Sequence, residues 1–324
     1  MRRPRRERPG ARWFVTVRCA RAQFRLRPDE TRRAAFGFHL GRALEAHPGI
    51  ELCAVVQMSN HLHLVVVDRS SELSGFMCRF LGPLAKVLNG LDGTRGQVFE
   101  RRYAATEIVD DAALLDCITY VVTNPEAAGL VRTDTEWPGL LLDPRGQREE
   151  RFERVRSEEY ARAVASAAAR GDGETVTEAD FTDVTWVRVG DALEEELADL
   201  AARVLARRAK LRASRDGRPV LGARRVVQED VFSAPAHPKR SPMPLCHAST
   251  GDLWLAFREG WRRFVWAYRS ASAAFREGDF GTVFPDFSFR PWTPPLEGLA
   301  AHDADEGGTE QGGIERSCGR ECGG

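Results

Sequence analysis

A pair of histidines separated by one residue is the first feature of this sequence that could perform chemistry. His61 and His63 flank Leu62 in an apolar segment that is predicted to form a strand. Because side chains alternate along a strand, both imidazoles point to one face of the sheet and Leu62 points to the other. Two neutral imidazoles at this spacing can bind one divalent metal ion. The alternative is an ordinary pair of hydrogen-bonded histidines without a ligand.

A tyrosine and an asparagine four residues apart form the second candidate set. Tyr120 and Asn124 lie near the end of a predicted helix that stops at Pro125, and this spacing places them on one helix face. The Asn124 amide oxygen is a candidate third metal ligand. A tyrosine hydroxyl has a pKa of about 10, so it attacks phosphorus usefully only where a cation withdraws charge from the phosphodiester. The alternative is an ordinary amphipathic helix residue followed by a C-cap.

A second tyrosine competes with Tyr120 for the role of nucleophile. The chain contains 4 tyrosines, and Tyr103 follows two arginines, Arg101 and Arg102. It has no polar partner at helical spacing, so Tyr120 is the preferred assignment.

The elements that must position these side chains alternate regularly in the first part of the chain. Hydrophobic patterns predict strands at Trp13–Arg18, Ile50–Gln57, His61–Val67 and Tyr103–Val109, and helices that begin after Asp29, near Leu73, and after Asp110 or Asp111. The order β-α-β-β-α-β-α predicts an α+β fold, a ferredoxin-like split βαβ sandwich. Its antiparallel sheet is expected to carry two helices on one face, which leaves the other face for the third helix or a ligand.

Two motifs in this region resemble those of a known enzyme family. The run Val55–Val67 (VVQMSNHLHLVVV) resembles the M-x-N-H-x-H-L motif of single-tyrosine HUH transposases. The run Tyr120–Val131 (YVVTNPEAAGLV) resembles their Y-I-x-x-N-P-x-x-A-G-L-V segment. Gln97–Tyr103 (QVFERRY) resembles a further stretch of the same family, G-x-[VL]-[WF]-x-x-[RY]-[FY]. The branch that the sequence resembles most is the REP-associated tyrosine transposases, over less than half of the chain.

The resemblance implies metal-dependent nicking and rejoining of single-stranded DNA at hairpin or palindromic repeat sequences. It implies that His61, His63 and Asn124 bind Mg²⁺ or Mn²⁺, and that Tyr120 forms a 5′-phosphotyrosine link and releases a 3′-hydroxyl. The ligand types would also accept Zn²⁺ or Co²⁺. No nucleotide cofactor is expected, because this chemistry conserves bond energy and the sequence contains no P-loop motif.

The remaining sequence predicts a mostly helical C-terminal extension. We assign residues 1–11 to a basic arm, 12–135 to the catalytic domain, 145–234 to a mostly helical charged region, 235–250 to a Pro-rich linker, 251–295 to a helical aromatic region and 296–324 to a disordered acidic, Gly-rich tail. Charged amphipathic helices are expected over Glu149–Arg170 and Asp191–Arg215, and a last helix over Gly251–Arg276. The aromatic residues of this last helix are expected to lie in a core.

Three groups of arginines are candidate DNA contacts. They are Arg2, Arg3, Arg5 and Arg6 in the basic arm, Arg101 and Arg102 before the fourth strand, and Arg207 and Arg208 in the charged region. Arginine neutralises phosphates irrespective of base sequence. The alternatives are a solvated arm, and a basic face over Arg203–Arg225 that pairs with the acidic block Glu174–Asp199.

Composition narrows the classes of protein. The 47 basic and 47 acidic residues balance, and the mean hydropathy is −0.37, which excludes a polycationic wrapping protein and a membrane channel. No segment approaches the roughly 20 apolar residues that span a bilayer. The basic N-terminal segment lacks the apolar stretch of a secretory signal, and 7 scattered cysteines fit reduced thiols, so a cytoplasmic protein is expected. The sequence leaves open whether the protein is a homodimer.

Two other functions compete with the transposase-like enzyme. The first is a non-catalytic DNA-binding protein descended from such an enzyme, although it would not need His61, His63, Tyr120 and Asn124 all intact. The second is a metal-dependent hydrolase that uses water in place of Tyr120, although the carboxylates that such enzymes commonly use are missing near the imidazoles.

Overall fold

The computed structural model of this chain describes residues 4–170, 176–190, 193, 196–236 and 243–289. Its strands are β1 (Ala11–Arg18), β2 (Ile50–Gln57), β3 (His61–Asp68), β4 (Ala104–Ile108), β5 (Leu141–Leu142), β6 (Glu149–Val155), β7 (Thr182–Arg188) and β8 (Cys246–His247). Its helices are α1 (Glu30–Ala46), α2 (Leu73–Leu91), α3 (Asp111–Val122), α4 (Asn124–Ala127), α5 (Ser157–Arg170), α6 (Leu197–Arg215), α7 (Ala223–Val226) and α8 (Gly251–Arg276). Arg2, Arg3 and the predicted tail lie outside the described residues.

A six-stranded sheet in the order β5-β2-β3-β1-β4-β8 organises the first part of the chain. Every pairing is antiparallel except that of β4 with β8. The tight turn over Met58-Ser59-Asn60 joins β2 to β3, and β3 lies between β2 and β1 in the middle of the sheet. The predicted mixed fold with a mostly antiparallel sheet is therefore confirmed, with all four predicted strands present.

Helices cover both faces of this sheet. Leu62, Leu64 and Val66 of β3 are buried in one core with α1 and α2. The alternate residues Val65 and Val67 are buried in a second core with α3 and α6. The two helices expected on one face are α1 and α2. The opposite face carries α3, the third predicted helix, and also α6 from the extension, which was not expected there.

The helix starts follow the capping chemistry of the sequence. The Asp29 side chain accepts a hydrogen bond from the Arg32 backbone N–H at 3.0 Å, so α1 begins there. Asp110, and not Asp111, caps α3 by accepting from the Ala113 N–H at 2.9 Å. A carboxylate at this position satisfies an N–H that has no partner inside the helix, and both caps confirm the predicted starts.

The prediction of a helix over Glu149–Arg170 is wrong in its first half. Glu149–Val155 forms β6, which pairs with β7 in a separate two-stranded ribbon, and α5 begins only at Ser157. The buried Phe152 ring packs directly on Gly37 of α1, where any β-carbon would collide with it. This packing of the ribbon on α1 provides apolar burial that the charged local sequence does not reveal.

Two further expectations for the extension need correction. The predicted linker contains Cys246–His247, which adds to the sheet as the edge strand β8, while its residues 237–242 lie outside the description. On α8, Trp261 stacks on Phe257 and contacts Phe264 at a tilt, but Trp266 is 73% exposed and Trp254 also reaches solvent. Within the described residues, no helix combines the length and apolar character needed to cross a membrane.

Candidate active site

The register of β1 against β3 positions the second histidine. His63 pairs with Thr16 across the two strands, and Thr16 Oγ1 lies 2.9 Å from His63 Nδ1. The ring is buried and contacts Phe14, also on β1, at 5.0 Å between ring centroids. Because Nδ1 is engaged, Nε2 is the ring nitrogen left for a ligand.

The first histidine is held by two amide side chains. His61 Nδ1 lies 2.7 Å from Asn60 Oδ1, so this nitrogen carries the proton and donates it to the amide oxygen. A second side-chain hydrogen bond joins His61 to Asn124. The two imidazoles of His61 and His63 are neighbours, with ring centroids 4.8 Å apart.

Both imidazoles are neutral near physiological pH. Burial lowers the pKa of His61 to about 4, with a smaller contribution from the charge of Arg18. Burial also lowers the pKa of His63 well below its ordinary value, helped by the charges of His61 and Arg18. A neutral imidazole keeps a lone pair for a metal ion, so this electrostatic environment fits ligation.

The end of α3 brings Tyr120 and Asn124 to the histidines. The prediction of one continuous helix through Asn124 differs from the structure, because α3 ends at Val122 and Thr123 leaves helical geometry. Asn124 then starts α4, where Pro125 is tolerated since its missing N–H has no helical partner to lose. The result places Asn124 against His61 and Tyr120 against His63.

Tyr120 combines contact with the histidines and access to solvent. Its ring centroid lies 5.4 Å from that of His63 and 5.8 Å from that of Phe14. The side chain is still 39% exposed, whereas Asn124 is buried. A large ligand can therefore reach the Tyr120 hydroxyl without displacing the core.

The donor set fits a divalent cation only if the Asn124 amide contributes. The described residues contain no cluster of three His, Cys, Asp or Glu side chains that could hold a metal ion. The His61 and His63 rings are nevertheless neighbours, the Asn124 side chain is hydrogen-bonded to His61, and imidazole and amide ligands suit several divalent metals. The chemistry of the three side chains is therefore compatible with the metal that the sequence implied.

The rival tyrosine, Tyr103, is enclosed by the protein and hydrogen-bonded. Tyr103 is buried, and its hydroxyl lies 3.1 Å from Ser74 Oγ. Arg5 donates to the Tyr103 carbonyl at 2.8 Å and its guanidinium carbon lies 3.9 Å from the ring centroid. Burial raises the pKa of Tyr103, which opposes formation of a phenolate. Its surroundings therefore favour Tyr120 as the reactive side chain.

The described part of the predicted basic arm packs against the protein. Arg5 is held on Tyr103, and the guanidinium carbon of Arg6 lies 5.6 Å from the Phe264 ring centroid. Arg8 forms an ion pair with the buried Glu107. These contacts hold Arg5 and Arg6 against the fold, and contact of either arginine with DNA stays a prediction.

Arg101 and Arg102, two further candidate DNA contacts, are exposed. Both side chains face solvent in the segment before β4. The adjacent Glu100 N–H donates to the Arg18 carbonyl at 2.8 Å, and Arg18 pairs with His61 across the strands. The two arginines therefore lie at the end of the sheet that carries the histidines.

Arg207 and Arg208 of α6 have different surroundings. Arg208 Nε donates to the buried Glu126 at 2.8 Å and also pairs with Asp134 at 2.5 Å, so it joins α6 to the core rather than reaching solvent. Arg207 instead lies over Tyr120, with its guanidinium carbon 5.3 Å from the ring centroid. Of these two predicted DNA contacts, only Arg207 is part of the candidate site.

Sequence reasoning missed the residues that contact the candidate side chains and orient them. Phe14 and Thr16 contact the candidate residues from β1, and Thr123 holds Arg207 through a hydrogen bond. The alternation of β1 could have shown that Phe14 and Thr16 share a face, but nothing local specifies which strand pairs with it. His247 reaches Phe14 from β8, at 5.1 Å between ring centroids, and no motif marked it.

Comparisons with known proteins give one match. No family model matches this chain, and no curated protein matches it. A solved structure described as a REP-associated tyrosine transposase bound to a REP hairpin is similar over 43% of this chain and 81% of that chain, with 19% sequence identity and a TM-score of 0.36. A superposition this loose carries no conclusion about this chain.

Proposed function

We propose that this protein is a metal-dependent enzyme that nicks and rejoins single-stranded DNA through a covalent bond between Tyr120 and a 5′-phosphate. The observation that carries the proposal is the solvent-accessible Tyr120 ring beside two neutral imidazoles, His61 and His63, with Asn124 against the first. The two motifs that resemble those of single-tyrosine HUH transposases support DNA as the substrate. Hairpin or palindromic DNA is the preferred substrate on the same ground.

The proposed chemistry is a reversible exchange of phosphodiester bonds. Tyr120 Oη forms a bond to phosphorus while the bond from phosphorus to the DNA 3′-oxygen breaks. The phenol loses its proton and the departing 3′-oxygen gains one, so neither water nor a nucleotide is consumed. In the reverse direction a DNA 3′-hydroxyl attacks the phosphotyrosine and releases Tyr120, which joins the strand ends.

The remaining side chains prepare this exchange. His61, His63 and Asn124 would hold the divalent cation, Mg²⁺ or Mn²⁺, which when bound withdraws charge from the phosphodiester. Thr16 and Asn60 fix the orientation of the two imidazoles through their Nδ1 atoms. The rings of Phe14 and His63 contact Tyr120 and restrict its rotation, so the hydroxyl is oriented before DNA binds.

A covalent-adduct assay tests the proposal. The full chain is incubated with Mn²⁺ and a pool of single-stranded DNA in which random nucleotides flank a hairpin stem, labelled at the 3′ end. The label then stays on the fragment that becomes attached to the protein. We expect a protease-sensitive adduct that is stable to denaturant, and we expect EDTA or Tyr120→Phe to abolish it.

Two matched tyrosine variants serve as controls. Each control removes one tyrosine hydroxyl outside the candidate site. Tyr103→Phe does so at a buried position, and Tyr160→Phe does so on α5, where Tyr160 packs on Phe181. Both variants are expected to form the adduct. An unchanged adduct in Tyr120→Phe, or no adduct with the wild-type chain, overturns the proposal. DNA binding without cleavage would indicate the non-catalytic DNA-binding protein, and cleavage that survives in Tyr120→Phe would indicate hydrolysis by water.

A further inference from the structure

Helix α6 lies outside both sequence motifs but is built into the candidate active site. Its buried residues Leu200 and Val204 belong to the same core as α3. Arg203 pairs with Asp116 on α3 at 2.7 Å, and Arg208 pairs with Glu126 on α4 at 2.8 Å. The helix is thus fixed to the two elements that carry Tyr120 and Asn124.

Arg207 is the residue that α6 presents to the nucleophile. Its Nε donates to Thr123 Oγ1 at 2.7 Å, and the buried Thr123 hydroxyl donates in turn to the Thr119 carbonyl at 2.7 Å. The guanidinium carbon lies 5.3 Å from the Tyr120 ring centroid, within the range of a cation–π contact. The guanidinium is therefore oriented by neutral groups directly beside the candidate nucleophile.

The charge of Arg207 distinguishes it from Arg203 and Arg208 on the same helix. Arg203 pairs with Asp116 and Asp199, and Arg208 pairs with Glu126 and Asp134. In contrast, no carboxylate among the described residues lies within ion-pair distance of Arg207. The charge of Arg207 is therefore held by neutral groups, whereas the charges of Arg203 and Arg208 are paired with carboxylates.

An arginine beside the site with no acidic partner has the chemistry of a phosphate-binding group. Its planar fork of N–H donors matches two oxygens of a phosphate, and hydrogen bonds between charged partners are about twice as strong as neutral ones. One N–H is already used on Thr123, which fixes the orientation of the fork and reduces the entropy lost when a ligand binds. Oxygen atoms of a phosphodiester at Tyr120 Oη would come next to this fork.

We propose that Arg207 binds a non-bridging oxygen of the DNA phosphate beside Tyr120, so that the C-terminal extension completes the active site. This inference rests on the proposed function, because that function supplies the reaction in which Arg207 would take part. Binding of phosphate by Arg207 can nevertheless be measured without the reaction. Phosphate binding can be observed without cleavage, whereas the adduct assay reports the reaction itself. The two ideas can therefore fail separately.

The first experiment measures DNA binding without chemistry. Single-stranded DNA from the hairpin pool is titrated with full-length Tyr120→Phe protein in EDTA, at several salt concentrations. Loss of one phosphate contact lowers the slope of log affinity against log salt by about 0.7 for a single strand. We expect this decrease in Tyr120→Phe combined with Arg207→Gln, and we expect Arg207→Lys to keep the slope because the charge remains.

The second experiment measures the reaction with Tyr120 intact. Adduct formation with Mn²⁺ should fall by about tenfold to a hundredfold in Arg207→Gln, the cost of one charged hydrogen bond. Arg207→Lys should recover only part of that loss, since lysine retains the charge without the fork that binds Thr123 and phosphate together. Arg42→Gln is the matched control, because it removes the same charge from an exposed ion pair on α1, on the opposite face of the sheet.

Two outcomes would overturn the inference. One is an unchanged salt slope together with an unchanged adduct in Arg207→Gln. Another is equal loss in Arg207→Lys and Arg207→Gln in proportion to their fall in Tm, which would show that Arg207 only stabilises α6. A normal salt-slope decrease with no adduct from the wild-type chain would retain the phosphate contact and contradict the proposed function instead.

Discussion

Thr16 and His63 face each other across β1 and β3, and the threonine hydroxyl lies 2.9 Å from His63 Nδ1. This bond connects the N-terminal strand to the histidine motif, although 47 residues separate the two side chains in sequence. It leaves Nε2 of His63 as the nitrogen that a ligand can use. Second-layer partners of this type orient metal-binding imidazoles and raise their basicity.

Removing the Thr16 hydroxyl should weaken metal binding without removing a ligand. Thr16→Val retains the branched shape but removes the hydrogen bond that fixes the tautomer and orientation of His63, so we expect Mn²⁺ affinity to fall by about tenfold to a hundredfold. Isothermal titration of the full chain with Mn²⁺ measures this directly. The matched control is Thr106→Val, a buried threonine in the adjacent strand β4. Equal affinities for Thr16→Val and the wild-type chain would contradict this role.

Asn124 gives a test of the third ligand. Asn124→Ala should reduce Mn²⁺ affinity strongly, because only the two imidazoles would remain at the site. Asn124→Asp should retain or increase the affinity, since a carboxylate supplies a charged oxygen at the same position. The same titration compares the two variants. If the Asn124→Ala protein binds Mn²⁺ as tightly as the wild-type chain does, the Asn124 amide is a structural partner of His61 and not a ligand.

The contact between Gly37 and Phe152 predicts that the effect of Gly37→Ala on the free energy of unfolding changes sign when the Phe152 ring is removed. Phe152→Ala removes a buried ring and should lower the free energy of unfolding by about 3–5 kcal/mol. Gly37→Ala should also destabilise the wild-type chain, because the new β-carbon would collide with that ring. In the Phe152→Ala background the same Gly37→Ala change should stabilise by up to about 1 kcal/mol, from helix propensity alone.

Denaturant unfolding of the four proteins in this cycle measures these differences. Additive effects of the two substitutions would mean that the ribbon of β6 and β7 does not rest on α1 at this position. A strong interaction energy would establish the contact in solution.

The buried His39 predicts a dependence of stability on pH. Burial lowers its pKa from 6.5 to about 4, with a smaller contribution from Arg154. The unfolded chain therefore binds a proton more readily than the folded chain between these values, and stability should fall as the pH decreases from 6.5 towards 4. Above pH 6.5 this contribution is fully present.

A His39→Gln variant isolates this effect. Its unfolding free energy should fall less steeply over the same interval, by at most about 1.4 kcal/mol per pH unit for one proton. Urea unfolding in EDTA at a series of pH values gives both slopes, and His61 and His63 contribute equally to the two proteins. Parallel slopes would show that His39 titrates normally in the folded chain.

The sequence by itself determined the local part of this protein. The alternation of His61, Leu62 and His63 and the turn before them place both imidazoles on one face, because side-chain direction in a strand has a period of two residues. Asp29 and Asp110 mark the helix starts because their carboxylates satisfy N–H groups only three residues away. Each of these features depends on neighbours along the chain, so each can be read from the chain.

The tertiary structure decided which residues meet. It places Tyr120 at the solvent edge of the site and encloses Tyr103, although both are plausible nucleophiles in the sequence. It turns the charged segment Glu149–Val155 into a strand and brings Arg207 from the extension onto Tyr120. The physical reason is the same in each case: burial and pairing between distant segments outweigh local propensity, and the identity of a distant partner leaves no periodic signal in the sequence.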